Sequence, residues 1–93
     1  MKLSTLTEEK ESNVLDEVLV DDQQLILFND DYNTFDHVIE SLVKICKHEV
    51  IQAEQCAWIV HNNGKCSVKK GHYKKLKPMC EALLDRGLNA EIQ

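Results

Sequence analysis

Apolar and polar positions follow three different rhythms along this chain. Leu25-Ile26-Leu27-Phe28 is a short unbroken apolar run with polar residues on both sides, the pattern of a central strand buried on both faces. It gives way to a polar loop, Asn29-Asp30-Asp31-Tyr32-Asn33, in which Asn33 suits a helix N-cap and Asp36 the first turn behind it. Phe35, Val38, Ile39, Leu42, Val43 and Cys46 then recur at helical spacing as one broad apolar stripe, with Asp36, Glu40 and Lys44 on the polar side. A second helix is predicted from Glu49 or Val50, with Val50, Ala53, Ala57 and Val60 on one face and Cys56 beside them. Trp58 and Ile59 widen that stripe, which predicts packing against more than one neighbour. Asn62-Asn63-Gly64 stops the helix, with Gly64 suited to a left-handed C′ position.

Residues 65–69 alternate polar and apolar, the period of a half-exposed strand. A third helix is predicted over residues 72–86, with Leu76, Met79, Cys80, Leu83 and Leu84 inward and Gly87 as its stop. Pro78 lies inside it and predicts a kink or a later start, because proline deletes a hydrogen bond and crowds the preceding turn. Leu88, Ala90 and Ile92 alternate with Asn89, Glu91 and Gln93 as a last strand. The order β-α-α-β-α-β predicts an α+β fold, a small three-stranded antiparallel sheet packed against three helices.

Charge divides the 93 residues into two parts. Residues 1–22 hold seven acidic and two basic side chains, and are expected to form an acidic, flexible N-terminal arm. Residues 23–93 hold nine of each and form the expected folded domain. That neutral balance argues against a dedicated nucleic-acid binder. No apolar run approaches the roughly 20 residues that span a bilayer, and the N-terminus has no apolar signal core. A soluble cytoplasmic protein is expected, monomeric and away from membranes. Its cysteines, Cys46, Cys56, Cys66 and Cys80, form no close pair, so they read as buried reduced thiols rather than zinc ligands. No metal or cofactor is expected.

Two places can carry chemistry. Asn29-Asp30-Asp31 sits at a strand-to-helix junction, where such residues serve as a local turn and cap. If strand geometry persists there, Asn29 and Asp31 point to one side and Asp30 to the other. His61, at the end of the second helix, reads either as a capping residue or as a ligand-binding group. Together a carboxylate, an amide and an imidazole can cradle a cationic group. They include no Ser or Cys nucleophile, and with three glycines the chain has no phosphate-binding loop, so an enzyme is not expected. The other place is the lysine-rich stretch Lys65, Lys69, Lys70, Lys74, Lys75 and Lys77, either a solvated face or a docking surface for an acidic partner.

The stretch LILFNDDYNTF from Leu25 to Phe35 resembles the V-x-L-x-N-D-D-Y-T-P-M opening of the ClpS adaptors. Ile59-Val60-His61-Asn62-Asn63-Gly64-Lys65 is similar to their V-H-x-x-G-K segment, and the spacing between the two motifs matches without a gap. The resemblance covers about residues 23–93. It implies a non-enzymatic adaptor that binds proteins with N-terminal Leu, Phe, Tyr or Trp and delivers them to the N-terminal domain of a Clp-family AAA+ unfoldase. It assigns the substrate's α-amino group to Asn29, Asp30, Asp31 and His61, with Asp31 in direct contact. It assigns the first side chain to a pocket of Phe35, Val38, Ala57, Val60 and Leu88. The chain departs from the family pattern in three ways. Phe35 replaces a Met and Asn33-Thr34 replaces Thr-Pro; Ala57 stands where a large aliphatic is usual; and the chain between Lys65 and Gly87 is shorter by about one helical turn.

Overall fold

In a computed structural model of the chain, the structure describes residues 23–93; the arm expected at residues 1–22 lies outside them. The apolar run forms β1 (Gln23–Phe28), the middle strand of a three-stranded sheet. It pairs antiparallel with β2 (Lys65–Gly71) on one side and β3 (Asn89–Ile92) on the other. Leu25 and Leu27 are fully buried among the helices, and Ile26, on the alternate face, is buried as well. The strand is central as expected, but burial on its second face is confined to Ile26, with Gln24 and Phe28 half-buried.

The β1–β2 register slips between Leu25 and Ile26, whose partners are Lys69 and Ser67, leaving Val68 as the extra residue of a bulge. Val68 enters the core, and the Lys69 ammonium donates to the Cys46 carbonyl at 3.0 Å. Cys46 is the last residue of α1 (Phe35–Cys46), so this lysine satisfies one of the open carbonyls at that helix's end. The adjoining His48 is buried, and its Nε2 hydrogen-bonds the Val68 carbonyl at 2.7 Å.

The other helices are α2 (Val50–Asn63) and α3 (Tyr73–Asp85). The stripe of α1 packs as its periodicity predicts, with Leu42 and Cys46 fully buried and Val38, Ile39 and Val43 partly so. Three expectations need correction. The N-cap of α1 is Thr34, whose Oγ1 accepts from the His37 N–H at 3.1 Å, because the Asn33 side chain is engaged elsewhere. On α2, Ala53, Cys56, Ala57 and Val60 are buried and the helix packs on both α1 and β2 as expected, but Val50, Trp58 and Ile59 are exposed, although Trp58 meets the Phe35 ring of α1. On α3, Leu84 is likewise exposed, and the helix runs through Pro78 from Tyr73 without a later start.

α3 ends in a Schellman arrangement. The Gly87 N–H donates to the Leu84 carbonyl at 2.9 Å and the Leu88 N–H to the Leu83 carbonyl at 3.0 Å, with Gly87 at φ 85°. The reversal drives Leu88 into the core beside Leu83. A polar clasp then ties α1 to this end of α3. Ser41 is fully buried, donates to the His37 carbonyl at 2.7 Å and accepts from Arg86 Nε at 2.8 Å, while His37 Nε2 hydrogen-bonds the Arg86 carbonyl at 2.8 Å.

Among the described residues, one non-glycine backbone position is strained. Lys47, following α1, has φ 62°, the left-handed region where a β-carbon is unfavourable. Lys47→Gly relieves that strain and should stabilise the fold by about 0.5–1 kcal/mol, net of glycine's greater freedom when unfolded. The check is a higher urea midpoint at an unchanged slope; an unchanged or lower midpoint contradicts it.

Candidate functional site

Beyond β1 the chain crosses from the sheet to α1 through residues 29–34, and every turn of that crossing is pinned. The Asn29 N–H donates to the Gly64 carbonyl at 2.9 Å, fixing the loop's start to the α2–β2 junction. Asp30 Oδ1 accepts from the N–H groups of Tyr32 and Asn33, both at 2.8 Å, and Oδ2 accepts from Asn33 Nδ2 at 2.7 Å. Asn33 Nδ2 also donates to the Gly87 carbonyl at 2.9 Å, which fastens the loop to the end of α3. Burial alone would raise the Asp30 carboxyl; the hydrogen bonds from Asn33 and Tyr32 outweigh it and hold the group below its ordinary value.

This loop roofs a cavity of about 270 Å³ between α1, α2 and the α3–β3 junction. Asn29, Asp30, Asp31 and His61 line it with polar groups, and Phe35, Val38, Ala57, Val60 and Leu88 line it with apolar ones. All nine residues singled out in the sequence therefore meet at one place. Leu27, Phe28 and Asn33 line it too and were not singled out as site residues. The unbroken apolar run Leu25–Phe28 marked Leu27 and Phe28 as core strand residues rather than site residues. Nothing local marked Asn33, whose second partner is 54 positions away.

The polar groups are not equivalent. Asp30 directs both carboxylate oxygens into the loop's own backbone and Asn33. Among the described residues, the side chains of Asn29, Asp31 and His61 have no hydrogen-bond partner, although each lines the cavity. His61 is held instead by rings. Phe35 meets it edge-on at 5.4 Å between centroids, and Trp58 lies 5.9 Å from Phe35 and 6.5 Å from His61.

An open carboxylate, an open amide and an imidazole above an apolar hollow can accept several N–H donors from a cation whose carbon chain enters the hollow. The arrangement contains no activated nucleophile. Burial pushes the Cys46 thiol up to about 11, and burial together with the neighbouring Cys66 pushes Cys56 up to about 12. Among the described residues no cluster of three His, Cys, Asp or Glu side chains is placed to hold a metal, and no helix is long and apolar enough to cross a membrane. The lysine-rich stretch is mostly exposed, except that Lys69 is half-buried and occupied at the end of α1.

A family model described as ATP-dependent Clp protease adaptor protein ClpS matches residues 20–91. Among solved structures, the chain is similar to Agrobacterium tumefaciens ClpS2 bound to L-phenylalaninamide, with a TM-score of 0.67 and 18% identity over 80% of this chain and 96% of that one. At that identity the likeness speaks to the fold, and it agrees in the three-stranded antiparallel sheet and three helices. No curated protein matches the chain.

The hydrogen bonds to Asp30 carry a pH signature. Because the folded state holds its pKa below the ordinary 3.8, ionised Asp30 stabilises the fold; that contribution is full above the unfolded value and is lost as pH falls through the folded one. Asp30→Asn should lower the urea midpoint at pH 7, with the gap to the unmodified protein closing as pH drops below about 4. A gap that stays constant from pH 7 to pH 2.5 would show that the carboxylate's charge is immaterial to the loop.

Proposed function

Because this chain belongs to the ClpS family of Clp protease adaptors, which are not enzymes, we propose that its cavity receives the first residue of a substrate protein. The free α-amino group sits at Asn29, Asp31 and His61, and a bulky apolar side chain such as Leu, Phe, Tyr or Trp fills the hollow between Phe35, Val38, Ala57, Val60 and Leu88. The observation that carries this reading is the contrast at the cavity's mouth: Asp30 is consumed by the loop, while Asn29, Asp31 and His61 line the cavity without protein partners among the described residues. An α-amino group with a pKa of roughly 7.7–8.0 is mostly an ammonium at pH 7, with three N–H donors for three acceptors. Asp30 contributes mainly by holding the loop in shape.

The ligand of the Agrobacterium tumefaciens protein, L-phenylalaninamide, combines a free α-amine with an apolar aromatic side chain, the two features this cavity is built to take. The substrate so captured is handed to the N-terminal domain of a Clp-family AAA+ unfoldase, with the adaptor acting as a monomer in the cytoplasm.

Acetylating the first residue of a Leu-initiated peptide removes the charge and two donors, and leaves the Asp31 carboxylate desolvated without a partner. Binding should weaken by about 2–5 kcal/mol. Asp31→Ala and His61→Ala should each weaken binding of the free-amine peptide markedly, and Asp30→Ala less. Titration by fluorescence anisotropy reads all four; equal affinity for free and acetylated peptides excludes the amine site.

Ala57 sets a second outcome. It is buried in the cavity wall, where a methyl side chain leaves room beside the β-carbon of the bound residue. Ile- and Val-initiated peptides should bind within about tenfold of Leu, a difference of about 1.4 kcal/mol. Ala57→Met should overpack the wall and cost the β-branched ligands about 1–3 kcal/mol. Competition among matched Leu, Ile and Val peptides on both proteins decides the point, and a large bias against Ile in the unmodified protein would place the restriction at Phe35.

A further inference from the structure

Trp58 is the chain's only tryptophan, and it has no part in the core: 57% of its surface is open to water, on a helix whose adjacent Ala57 is buried. It is fixed nonetheless. Its ring meets Phe35 at 5.9 Å and 65° and His61 at 6.5 Å and 75°, and with Phe35 and His61 themselves 5.4 Å apart it closes a compact triangle of three rings. Two of them, Phe35 and His61, line the cavity; Trp58, in contact with both, is not part of its lining. Edge-to-face packing against its neighbours, with this much exposure, leaves much of the indole surface to solvent.

We propose that Trp58 is a platform for the side chain of the second residue of a bound peptide, and that it favours a flat one, aromatic or guanidinium. The inference rests on the first-residue reading of the cavity. With the first residue held at His61, the next Cα lies 3.8 Å further along the chain. A side chain on that carbon spans the 6.5 Å between the His61 and Trp58 rings. A planar group then stacks on the indole, an aromatic by offset contact and an arginine by cation–π attraction. Glycine offers nothing to the platform, and a carboxylate meets the negative face of the ring.

The test uses the full chain and free-amine peptides that begin with Leu and carry Gly, Phe, Arg or Glu second, with an acetylated Leu-Gly peptide alongside. Phe and Arg in second place should tighten binding about three- to tenfold over Gly. Trp58→Ala should compress that ladder to within about twofold, while Trp58→Tyr, which keeps an aromatic face, should preserve it. The unmodified protein supplies a direct readout: the Leu-Phe peptide should shift the emission of the single tryptophan to the blue, and the Leu-Gly peptide should shift it far less. A ladder that survives Trp58→Ala, or one absent from the unmodified protein, overturns the platform while leaving the first-residue site intact. Equal binding of free and acetylated Leu-Gly instead removes the amine site, and the platform falls with it.

Discussion

The Asn33 carboxamide has two N–H bonds, and the fold commits both. One goes to Asp30 within the loop at 2.7 Å and the other to the Gly87 carbonyl at 2.9 Å. Through this one side chain the segment after the central strand is tied to the turn that ends α3, although the two are far apart in the chain. Gly87 can present its carbonyl there because it occupies a left-handed conformation, and the same turn sends Leu88 into the cavity wall. The separation between the cavity's polar mouth and its apolar far side is thus set by one amide. The clasp of Ser41, His37 and Arg86 acts a turn away and holds the start of α1 to the same end of α3. Together these contacts tie the loop, α1 and the end of α3 to one another around the hollow.

The polar residues near the cavity divide by whether the protein itself uses them. Asp30 and Asp31 are adjacent in sequence, yet one is bound into the loop and the other is not. His37 and His48 each hydrogen-bond a backbone carbonyl, whereas His61 meets the rings of Phe35 and Trp58 and has no hydrogen bond among the described residues. A polar group left without a partner at a folded surface is easily satisfied by water, so exposure alone distinguishes nothing. What distinguishes Asn29, Asp31 and His61 is convergence on one apolar hollow, where a ligand replacing that water gains apolar contact as well.

Much of this was legible in the sequence. Periodicity placed the three helices, an unbroken apolar run placed the central strand, and the helical stripes supplied Val38, Ala57 and Val60 as residues facing a common interior. What failed has a shared cause: hydropathy reports which side chains prefer burial, not whether a neighbour exists to bury them. On α2 the usual assignment is inverted. Its buried residues are the small Ala53, Cys56, Ala57 and Val60, which let the helix approach the sheet closely, while the larger Ile51, Trp58 and Ile59 remain outside. Leu84 on α3 is the same case at smaller scale. Asn33 failed for a different reason. As a local signal it is an N-cap, but its partner is the Gly87 carbonyl, brought within reach only by the completed fold. Thr34 then takes the capping role one position later, at no loss to the helix.

If the cavity receives a substrate's first residue as proposed, Phe35 and Ala57 show how such an inversion bears on selectivity. A bulky residue on α2 at position 57 would fill the hollow from within, whereas a bulky residue at position 35, on the first turn of α1, stands nearer the opening and remains 40% exposed. With alanine at the first place and phenylalanine at the second, bulk is shifted from the interior to the rim. The phenyl ring there needs support that a flexible side chain would not, and it has it, edge-on from both His61 and Trp58. His61 is thereby held in place by packing rather than by a hydrogen bond, which leaves both ring nitrogens available to a ligand. The ring cluster and the open imidazole are therefore one feature: Phe35, which borders the hollow, and Trp58 beside it together orient the histidine that lines it.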